Sequence, residues 1–385
     1  MAGGREIKIM LNVQQYLQSG KTPDDLKAEL GINFRRHSSY PNLVQFKYDQ
    51  IDSPKAHPIV VECRGLILDE ANDWGVVAHP FNRFFNSGEG TAAEIDWSTA
   101  RTLEKVDGSL IIIYPYDNGW EIATSGVPDG SGEVQLLVDN WEPIEGTILW
   151  GPRSFRDVVD QLLVLKNAKE LLYNVSDNLK NYCFMFELTT PLNKVVVQHR
   201  WADLVLLGGR NLLTDKEITA EDAYNLLNGR FTTVKEFNLQ SMQDLINTFE
   251  TFSPLAQEGY VVVDGNFNRI KCKHPGYVAL HHMKSNMSIH NMIDIAKSGE
   301  ISEVVAAFPE YELQLTQIKN NIELLISSLE SSYAAIADKE SQKEFALEAV
   351  KTKCSSALFA LRAKKTGSIK EYIRNMRAES LERCL

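Results

Sequence analysis

The sequence predicts an α+β protein whose C-terminal part is entirely helical. Between about residues 59 and 280, short β-branched and aromatic runs are separated by Gly, Pro, Asn or Asp, which is typical of strands and turns. After about residue 285 only helical spacing of apolar residues continues. The 385 residues, 44% of them hydrophobic, are enough to form more than one core. We therefore expect domains at 1–284 and 285–385, the first with an N-terminal subdomain of about residues 1–100.

The strands predicted for the first domain lie in short apolar runs of the sequence. These runs are IVVECRGLILDE, WGVVAHPF, SLIIIYPY, WEIATS, YCFMFEL, KVVVQH, LVLLGGR and EGYVVVDG. Two helical patterns interrupt them, SFRDVVDQLLVLKNAKELLYNVSDNL and TAEDAYNLLNGR. Strands mixed with helices in this irregular order favour an α+β fold over a regular α/β alternation.

The C-terminal domain shows apolar residues at helical offsets. One stripe consists of Ile322, Leu325, Ile326, Leu329, Tyr333 and Ile336. A second predicted helix runs from Val350 through Cys354 to Gly367, and Ser368 with Glu371 has the spacing of a capping box for a last helix. On that last helix Lys370, Arg374 and Arg377 stand at i, i+4 and i+7, which predicts one basic stripe. Such a stripe either aids solubility or contacts phosphates.

Composition limits the classes of function. The formal net charge of −11 argues against a protein coated in nucleic acid, although it leaves room for a local basic surface. Five scattered cysteines without a C-x-x-C motif indicate reduced thiols in a cytosolic compartment. The apolar runs are too short for a membrane span, so we expect a soluble protein without a membrane partner.

A candidate catalytic lysine stands in the stretch LEKVDGSLIIIYPY, where Lys105 is followed by Asp107 and Gly108. A single K-x-D-G is common and its lysine is usually solvated. A nucleophilic lysine must be deprotonated, which requires neighbouring cations, a metal or a dry pocket. Lys271 and Lys273, at strand spacing in NRIKCKHPGY, can supply two cations on one face.

The order of motifs along the chain is more specific than any one of them. K-x-D-G, F-x-F-E-L, L-V-L-L-G-G-R, E-G-Y-V-V and K-x-K follow one another over about 170 residues. This series resembles the covalent nucleotidyltransferases, which include ATP-dependent DNA and RNA ligases and messenger RNA capping enzymes. The stretches ECRGLILDE and HPFNRFFNSGE resemble the RNA ligase 1 family, typified by the RNA ligase of T-even bacteriophages. One departure is Arg83, where the family pattern has lysine.

The resemblance implies a fold, a reaction and a set of site residues. The fold would be an ATP-grasp-like nucleotidyltransferase domain of antiparallel sheets with flanking helices, followed by an all-α RNA-specificity domain. Lys105 would become AMP-lysine, with Asp107 and Gly108 shaping the turn and Lys271 and Lys273 neutralising phosphate charge. The nucleotide would contact Arg64, Arg83 and Glu104, and a ribose hydroxyl would donate a hydrogen bond to Glu187. The adenine would lie against Leu206, Leu207 and Val262, although core packing explains these three residues equally well. Glu258 would hold the metal, with Asp107 as a second candidate, and Lys370, Arg374 and Arg377 would contact RNA.

The resemblance also implies cofactors, partners and cellular location. ATP and Mg²⁺ are expected, with Mn²⁺ able to substitute, and the substrate would be RNA with 5′-phosphate and 3′-hydroxyl ends, such as a nicked transfer RNA. A monomer in the cytoplasm of a phage host is expected.

Three alternatives remain. A DNA ligase or a capping guanylyltransferase shares the lysine chemistry, but normally carries a β-barrel after the K-x-K strand. A non-catalytic RNA-binding protein is the alternative from another class.

Overall fold

The computed structural model describes residues 10–134, 154–168, 171, 175–191, 196–197, 199–282, 288–339 and 341–385. The chain divides into two compact units, Met1–Tyr277 and Val278–Leu385. This division lies seven residues before the predicted boundary at 284. It falls within helix α7 (Pro275–His282), so the two units share this helix. Tyr277 packs with Val196 and Val197, whereas Val278 belongs to the core of the helical unit.

The first unit begins with a small antiparallel sheet packed against three helices. Strands and helices, numbered in chain order, are α1 (Asn12–Gln18), α2 (Pro23–Leu30), β1 (Ile32–Arg36), β2 (Leu43–Tyr48), α3 (Pro58–Glu62), β3 (Arg64–Asp69) and β4 (Gly75–Ala78). The strand order is β1-β2-β3-β4. One face of this sheet, including Ile32, Phe46 and Leu66, is buried against the helices.

A six-stranded sheet forms the centre of the first unit. Its elements are β7 (Ser109–Tyr116), β8 (Gly119–Thr124), α4 (Phe155–Leu165), β9 (Tyr182–Thr189), β10 (Asp203–Asn211), β11 (Lys216–Ile218), α5 (Ala220–Leu226) and β12 (Thr232–Thr233). The order is β11-β10-β9-β7-β8, with β12 parallel to β10. Ile111 and Phe186 on one face pack with residues of α4 and α5, while Ile112 and Met185 pack against the first sheet.

A five-stranded sheet completes the first unit. It contains β5 (Phe85–Asn86), β6 (Arg101–Glu104), β13 (Glu236–Phe237), β14 (Gly259–Val263) and β15 (Arg269–Lys273), and α6 (Met242–Thr248) follows β13. The order is β13-β6-β14-β15-β5, antiparallel except for the pair β15 and β5. The predicted α+β fold is therefore confirmed.

The second unit is helical throughout its described residues. It consists of α8 (Ile289–Ser298), α9 (Ile301–Ala307), α10 (Glu312–Ile336), α11 (Gln342–Ala349), α12 (Ser355–Arg362), α13 (Ile369–Asn375) and α14 (Ala378–Glu382). The apolar stripe predicted on α10 is confirmed, since Ile322, Leu329 and Ile336 are buried in the core of this unit. No described helix is both long enough and apolar enough to span a bilayer.

Three predictions about local structure are corrected. Ile59–Glu62, read as strand, is helical because Pro58 opens a short helix. The helix predicted from Val350 to Gly367 is broken at Cys354, which has a left-handed φ of 58°. In the run KVVVQH, read as strand, the described residues Val196, Val197 and His199 belong to no strand, and positions 194, 195 and 198 lie outside the described residues.

The basic stripe predicted for the last helix is also corrected. Lys370 and Arg374 lie on α13, but Met376 and Arg377 have extended backbone, and Arg377 is the N-cap of α14. The break allows Ala378 and Leu381 to be buried, and the Lys297 ammonium donates to the Met376 carbonyl. Burial of the last apolar residues therefore takes precedence over helix continuity.

Gly259, at the start of β14, has φ of 148°, and a Cβ there would lie 2.2 Å from the Cys272 carbonyl oxygen. We expect Gly259→Ala to lower the free energy of unfolding by about 2–4 kcal/mol through overpacking and backbone strain. Thermal unfolding followed by circular dichroism measures the change. Gly119→Ala is the control, because its added methyl group meets only ordinary contact at 3.7 Å. Equal destabilisation by both substitutions would contradict this steric argument.

Candidate active site

Lys105 lies in the connection between two sheets. β6 ends at Glu104 in the five-stranded sheet and β7 begins at Ser109 in the six-stranded sheet. The Lys105 amide donates to the Gly259 carbonyl at 2.9 Å, which ties the connection to β14. Gly259 is in turn the register partner of Lys273 on β15. The backbone of Gly259 thus brings Lys105 and Lys273, which are far apart in sequence, next to each other.

Gly108 is required by close backbone packing. A Cβ at this position would lie 2.4 Å from the Leu188 carbonyl oxygen and 3.0 Å from Cγ of Glu187. The absence of a side chain lets β7 approach β9, where Leu110 is the register partner of Glu187. Gly108 therefore helps to bring Glu187 into the same site as Lys105.

A cavity of about 790 Å³, including its open mouth, lies between these sheets. Its lining combines five cations with aliphatic and aromatic side chains and two carboxylates: Arg64, Lys105, Arg269, Lys271, Lys273; Phe81, Phe84, Leu103, Val106, Leu110, Leu207, Val234, Val261; Glu104 and Glu187. Ligand sites of proteins are commonly concave, mostly apolar and equipped with a few polar groups that orient the ligand. An excess of positive charge beside an apolar slot suits a ligand with both a phosphate and a flat ring.

Glu258 joins two of the lysines. Its carboxylate lies 2.6 Å from Nζ of Lys105 and 3.2 Å from Nζ of Lys273, and its side chain is almost fully buried. The charged group that contacts Lys105 is therefore a carboxylate, whereas the sequence argument expected neighbouring cations. An ammonium that donates to a carboxylate has no free electron pair, so Lys105 must leave Glu258 before it can act as a nucleophile.

The other two carboxylates at the cavity have altered acidity. Burial raises the pKa of Glu187 to about 7, while the charge of Lys105 opposes this shift. Burial also raises the pKa of Glu104, against the opposing charges of Lys235 and His199. Glu187 consequently titrates near neutral pH, where it can either accept or donate a hydrogen bond.

Asp107 does not point a free carboxylate at a ligand. Its Oδ2 accepts hydrogen bonds from the amides of Val196 and Val197 at 3.0 and 2.8 Å, and its Oδ1 accepts one from the Tyr277 hydroxyl at 2.9 Å. The Asp107 carbonyl lies 2.6 Å from Nε2 of His199. These contacts fix the turn that follows Lys105, and they argue against the predicted role of Asp107 as a metal ligand.

The predicted adenine contacts need correction by one position on two strands. Leu207 lines the cavity, but Leu206 is buried in the core beneath β10. Val261 lines the cavity between its register partners Leu103 and Lys271, whereas Val262 faces the other core. A bulge in β10 between Leu206 and Gly208 interrupts the simple alternation of faces.

Arg83, the departure from the family pattern, packs away from the residues that line this cavity. Its guanidinium lies 3.9 Å from the centre of the Tyr48 ring, and the side chain is buried. Desolvation lowers the pKa of Arg83. Arg83 thus supports the wall that carries Tyr48, and the structure does not place it as a ligand of the nucleotide.

Sequence reasoning overlooked several side chains of the cavity, among them Arg269 and Phe84. Arg269 precedes Lys271 by two residues, so the strand spacing that linked the two lysines also puts Arg269 on their face. It pairs with Glu217 at 2.6 Å and stacks on Phe81. The Arg64 guanidinium lies 5.3 Å from the centre of the Phe84 ring, and the Lys271 amine lies 5.1 Å from it. Both are cation–π contacts. The tertiary contacts of Phe84 had no sequence signal.

Metal-binding clusters are absent from the described part of the chain, where no group of three His, Cys, Asp or Glu could hold an ion. The donor set around Glu258 is nevertheless compatible with a hydrated Mg²⁺, because this ion commonly binds one or two carboxylates together with ligand phosphates and water.

Comparison with known proteins identifies relatives. Residues 62–277 match the family model described as RNA ligase, of the T4 RNA ligase 1 type. The chain is 25% identical over 343 residues to the RNA ligase of Rhodothermus phage RM378, a match spanning 73% of this chain and 74% of that protein. It is 28% identical over 316 residues to a protein of Autographa californica nuclear polyhedrosis virus whose name combines polynucleotide kinase and RNA ligase. That match spans 78% of this chain and 42% of the viral protein.

Among solved structures, an archaeal ATP-dependent RNA ligase aligns over 88% of each chain, with 12% identity and a TM-score of 0.46.

The raised pKa of Glu187 predicts a pH-dependent effect of Glu187→Gln. A carboxyl with a folded pKa of about 7 against 4.5 in the unfolded chain destabilises the fold as pH rises between these values. Relative to the native chain, we expect the substitution to be nearly neutral at pH 4.5 and stabilising by up to about 3 kcal/mol at pH 8. Thermal unfolding of both proteins across this range measures the difference. A difference that does not change with pH would contradict the raised pKa.

Proposed function

The chain belongs to the RNA ligase 1 family, and on that premise we propose that it joins RNA ends in an ATP-dependent reaction through a lysyl-AMP intermediate. The observation that carries this proposal is the convergence of Lys105, Lys271 and Lys273, from two distant segments, on one cavity. Cations from separate elements around one cavity suit a reaction whose main requirement is neutralisation of phosphate charge.

In the first step, Nζ of Lys105 attacks the α-phosphorus of ATP. A P–N bond forms, the bond from the α-phosphorus to the bridging oxygen breaks, and pyrophosphate leaves with that electron pair. Lys271 and Lys273 lie on the same face of β15 and stabilise the charge that spreads over the phosphate oxygens. Before attack, the Lys105 ammonium must separate from Glu258 and lose a proton.

Glu258 is the candidate ligand for Mg²⁺. Its buried carboxylate stands at the edge of the phosphate-binding lysines, and ATP phosphate oxygens would complete the coordination. When bound, the ion supplies charge neutralisation at the leaving phosphates. If Glu258 bound Mg²⁺ in place of the Lys105 ammonium, Lys105 would be released to act as the nucleophile.

The nucleoside is proposed to occupy the remaining part of the cavity. Leu207 and Val261, together with Leu103 and Val234, form an aliphatic slot for the adenine ring. Glu187, which lines the same cavity as Lys105, is proposed to accept a hydrogen bond from a ribose hydroxyl. A GTP-dependent capping enzyme would need groups that recognise the guanine edge, and the slot is mostly apolar.

In the later steps, AMP passes from Lys105 to the 5′-phosphate of an RNA strand, and a 3′-hydroxyl then displaces AMP to seal the strands. The natural substrate is proposed to be a broken structured RNA such as a nicked transfer RNA. The helical unit, with Lys370 and Arg374 on α13 and exposed Arg377 at the start of α14, is proposed to contact it. The helical unit takes the place of the β-barrel expected in a DNA ligase.

Lysyl-AMP formation can be tested by incubation with α-labelled ATP and Mg²⁺ followed by denaturing electrophoresis. We expect a covalent label on the native chain and none on Lys105→Ala, because the nucleophilic nitrogen is removed. Lys216→Ala, which removes an exposed lysine of β11, should keep the label. Labelling by GTP would instead indicate a capping enzyme.

If native protein takes no label, the chain is a binding protein without the activity. If the label appears, ligation of 5′-phosphorylated single-stranded RNA and of nicked DNA duplex separates an RNA ligase from a DNA ligase. Only the RNA should be sealed efficiently.

The corrected adenine contacts predict different outcomes for neighbouring residues. Val261→Ala should raise the KM for ATP by about 5- to 30-fold, since roughly 1–2 kcal/mol of apolar contact with the base is lost. Val262→Ala should lower the free energy of unfolding by about 1–3 kcal/mol with little change in this KM, because Val262 is fully buried in the core. ATP titrations of lysyl-AMP formation and thermal unfolding provide the two measurements. If instead Val262→Ala raised the KM and Val261→Ala mainly lowered the stability, Val262 would face the nucleotide and Val261 the core.

A further inference from the structure

A second, larger cavity adjoins the one that contains Lys105. Its volume is about 2020 Å³ including open solvent, and Arg64, Lys105 and Glu187 line both cavities. The rest of its wall comes mainly from β1, β2 and the turn after β8. A ligand in this second cavity would therefore reach Lys105 from the side of the N-terminal sheet.

The wall of the second cavity contains a cluster of like charges. Lys47 on β2 is the register partner of Arg64 on β3, and a bulge at Gly65, which has φ of 97°, produces this pairing. Arg35 on β1 also lines the cavity, two register positions from Lys47 and opposite Gln45. Like charges directly opposite each other on neighbouring strands destabilise a sheet unless an anion lies between them.

These cations form no salt bridge within the described part of the chain, although Asp49 and Glu187 also line the cavity. Neither Arg35, Lys47 nor Arg64 forms an ion pair with any carboxylate whose position is described. The amine of Lys47 only donates to the Ser125 hydroxyl at 3.3 Å. A buried Nη1 of Arg64 has no hydrogen-bond partner among the described groups. Desolvation, followed by the charges of Arg64 and Arg35, lowers the pKa of Lys47.

Aromatic groups accompany the cations. Phe34, Tyr48 and Phe155 line the same cavity. A cationic groove with aromatic side chains is the arrangement that binds single-stranded nucleic acid, where phosphates meet the cations and bases stack on the rings. Pyrophosphate could also bind the cations, but it would leave the aromatic wall and most of the volume unused.

We propose that Arg35, Lys47 and Arg64 bind the terminal 5′-phosphate of the RNA strand that receives AMP, with its first bases against the aromatic wall. This inference rests on the proposed function of the Lys105 site. An oxygen of the 5′-phosphate attacks the phosphorus of lysyl-AMP, and a new P–O–P linkage forms as the P–N bond breaks. The electron pair returns to Nζ of Lys105, which takes up a proton from solvent.

The test separates AMP transfer from lysyl-AMP formation. The experiment compares four proteins: native protein, Arg35→Ala, Lys47→Ala and the double variant. Each is incubated with labelled ATP to form lysyl-AMP, separated from unbound nucleotide, and mixed with a 5′-phosphorylated single-stranded RNA. We expect AMP transfer at subsaturating RNA to fall at least tenfold for each single variant, while lysyl-AMP formation changes far less. Lys47→Arg should recover most of the transfer.

Matched controls and direct binding make the result specific. Lys27→Ala removes an exposed lysine of α2 and should transfer AMP like the native chain. By fluorescence anisotropy, native protein should bind 5′-phosphate RNA more tightly than 5′-hydroxyl RNA, and Lys47→Ala should lose this preference. The slope of log affinity against log salt should become less negative by about 0.7 for each cation removed.

The possible contrary results point to different conclusions. A parallel loss of lysyl-AMP formation and of pyrophosphate exchange would assign the cluster to the leaving phosphates of ATP and overturn the proposal. Normal AMP transfer by the double variant would also overturn it. If native protein formed no lysyl-AMP, the proposed function would fail, whereas the anisotropy comparison would still test the RNA site.

Discussion

The contact on which the site depends is the ion pair network of Glu258 with Lys105 and Lys273. It links positions 153 residues apart and ties the connection between β6 and β7 to strands β14 and β15 of the five-stranded sheet. Glu258 is almost fully buried. If both lysines were removed, its negative charge would be buried without a partner, which is strongly destabilising. The same carboxylate thus organises two cations of the site, and in the proposed reaction Lys105 has to leave it before the amine can attack ATP.

The surrounding structure positions this network through close backbone packing and hydrogen bonds. Gly108 and Gly259 remove side chains where backbones must approach closely, and Asp107 fixes the turn through hydrogen bonds from Val196, Val197 and Tyr277. Two cavities meet at Lys105, one with an apolar slot and the other with an aromatic, cationic wall. A single amine that is reachable from both sides suits a reaction in which AMP is first received and then passed on.

Local patterns predicted much of this site. Alternation along β15 placed Lys271 and Lys273 on one face, and the same rule would have found Arg269. Prediction failed where alternation is interrupted or where both faces of a strand are apolar. The bulge at Leu207 shifts the faces of β10, and on β14 the residues Val261 and Val262 are chemically identical, so their sequence carries no sign of which one faces a ligand.

By itself, the sequence determined the α+β class, the apolar stripe of α10 and the ordered motifs that surround Lys105, because these depend on periodicity and residue type within short segments. Only the tertiary structure decided that Lys105 donates to Glu258, that Asp107 is engaged by backbone amides, and that the helix ends before Arg377. It also brought Lys47 opposite Arg64. The physical reason is that these contacts join segments distant along the chain, and their partners are fixed by sheet register and core packing.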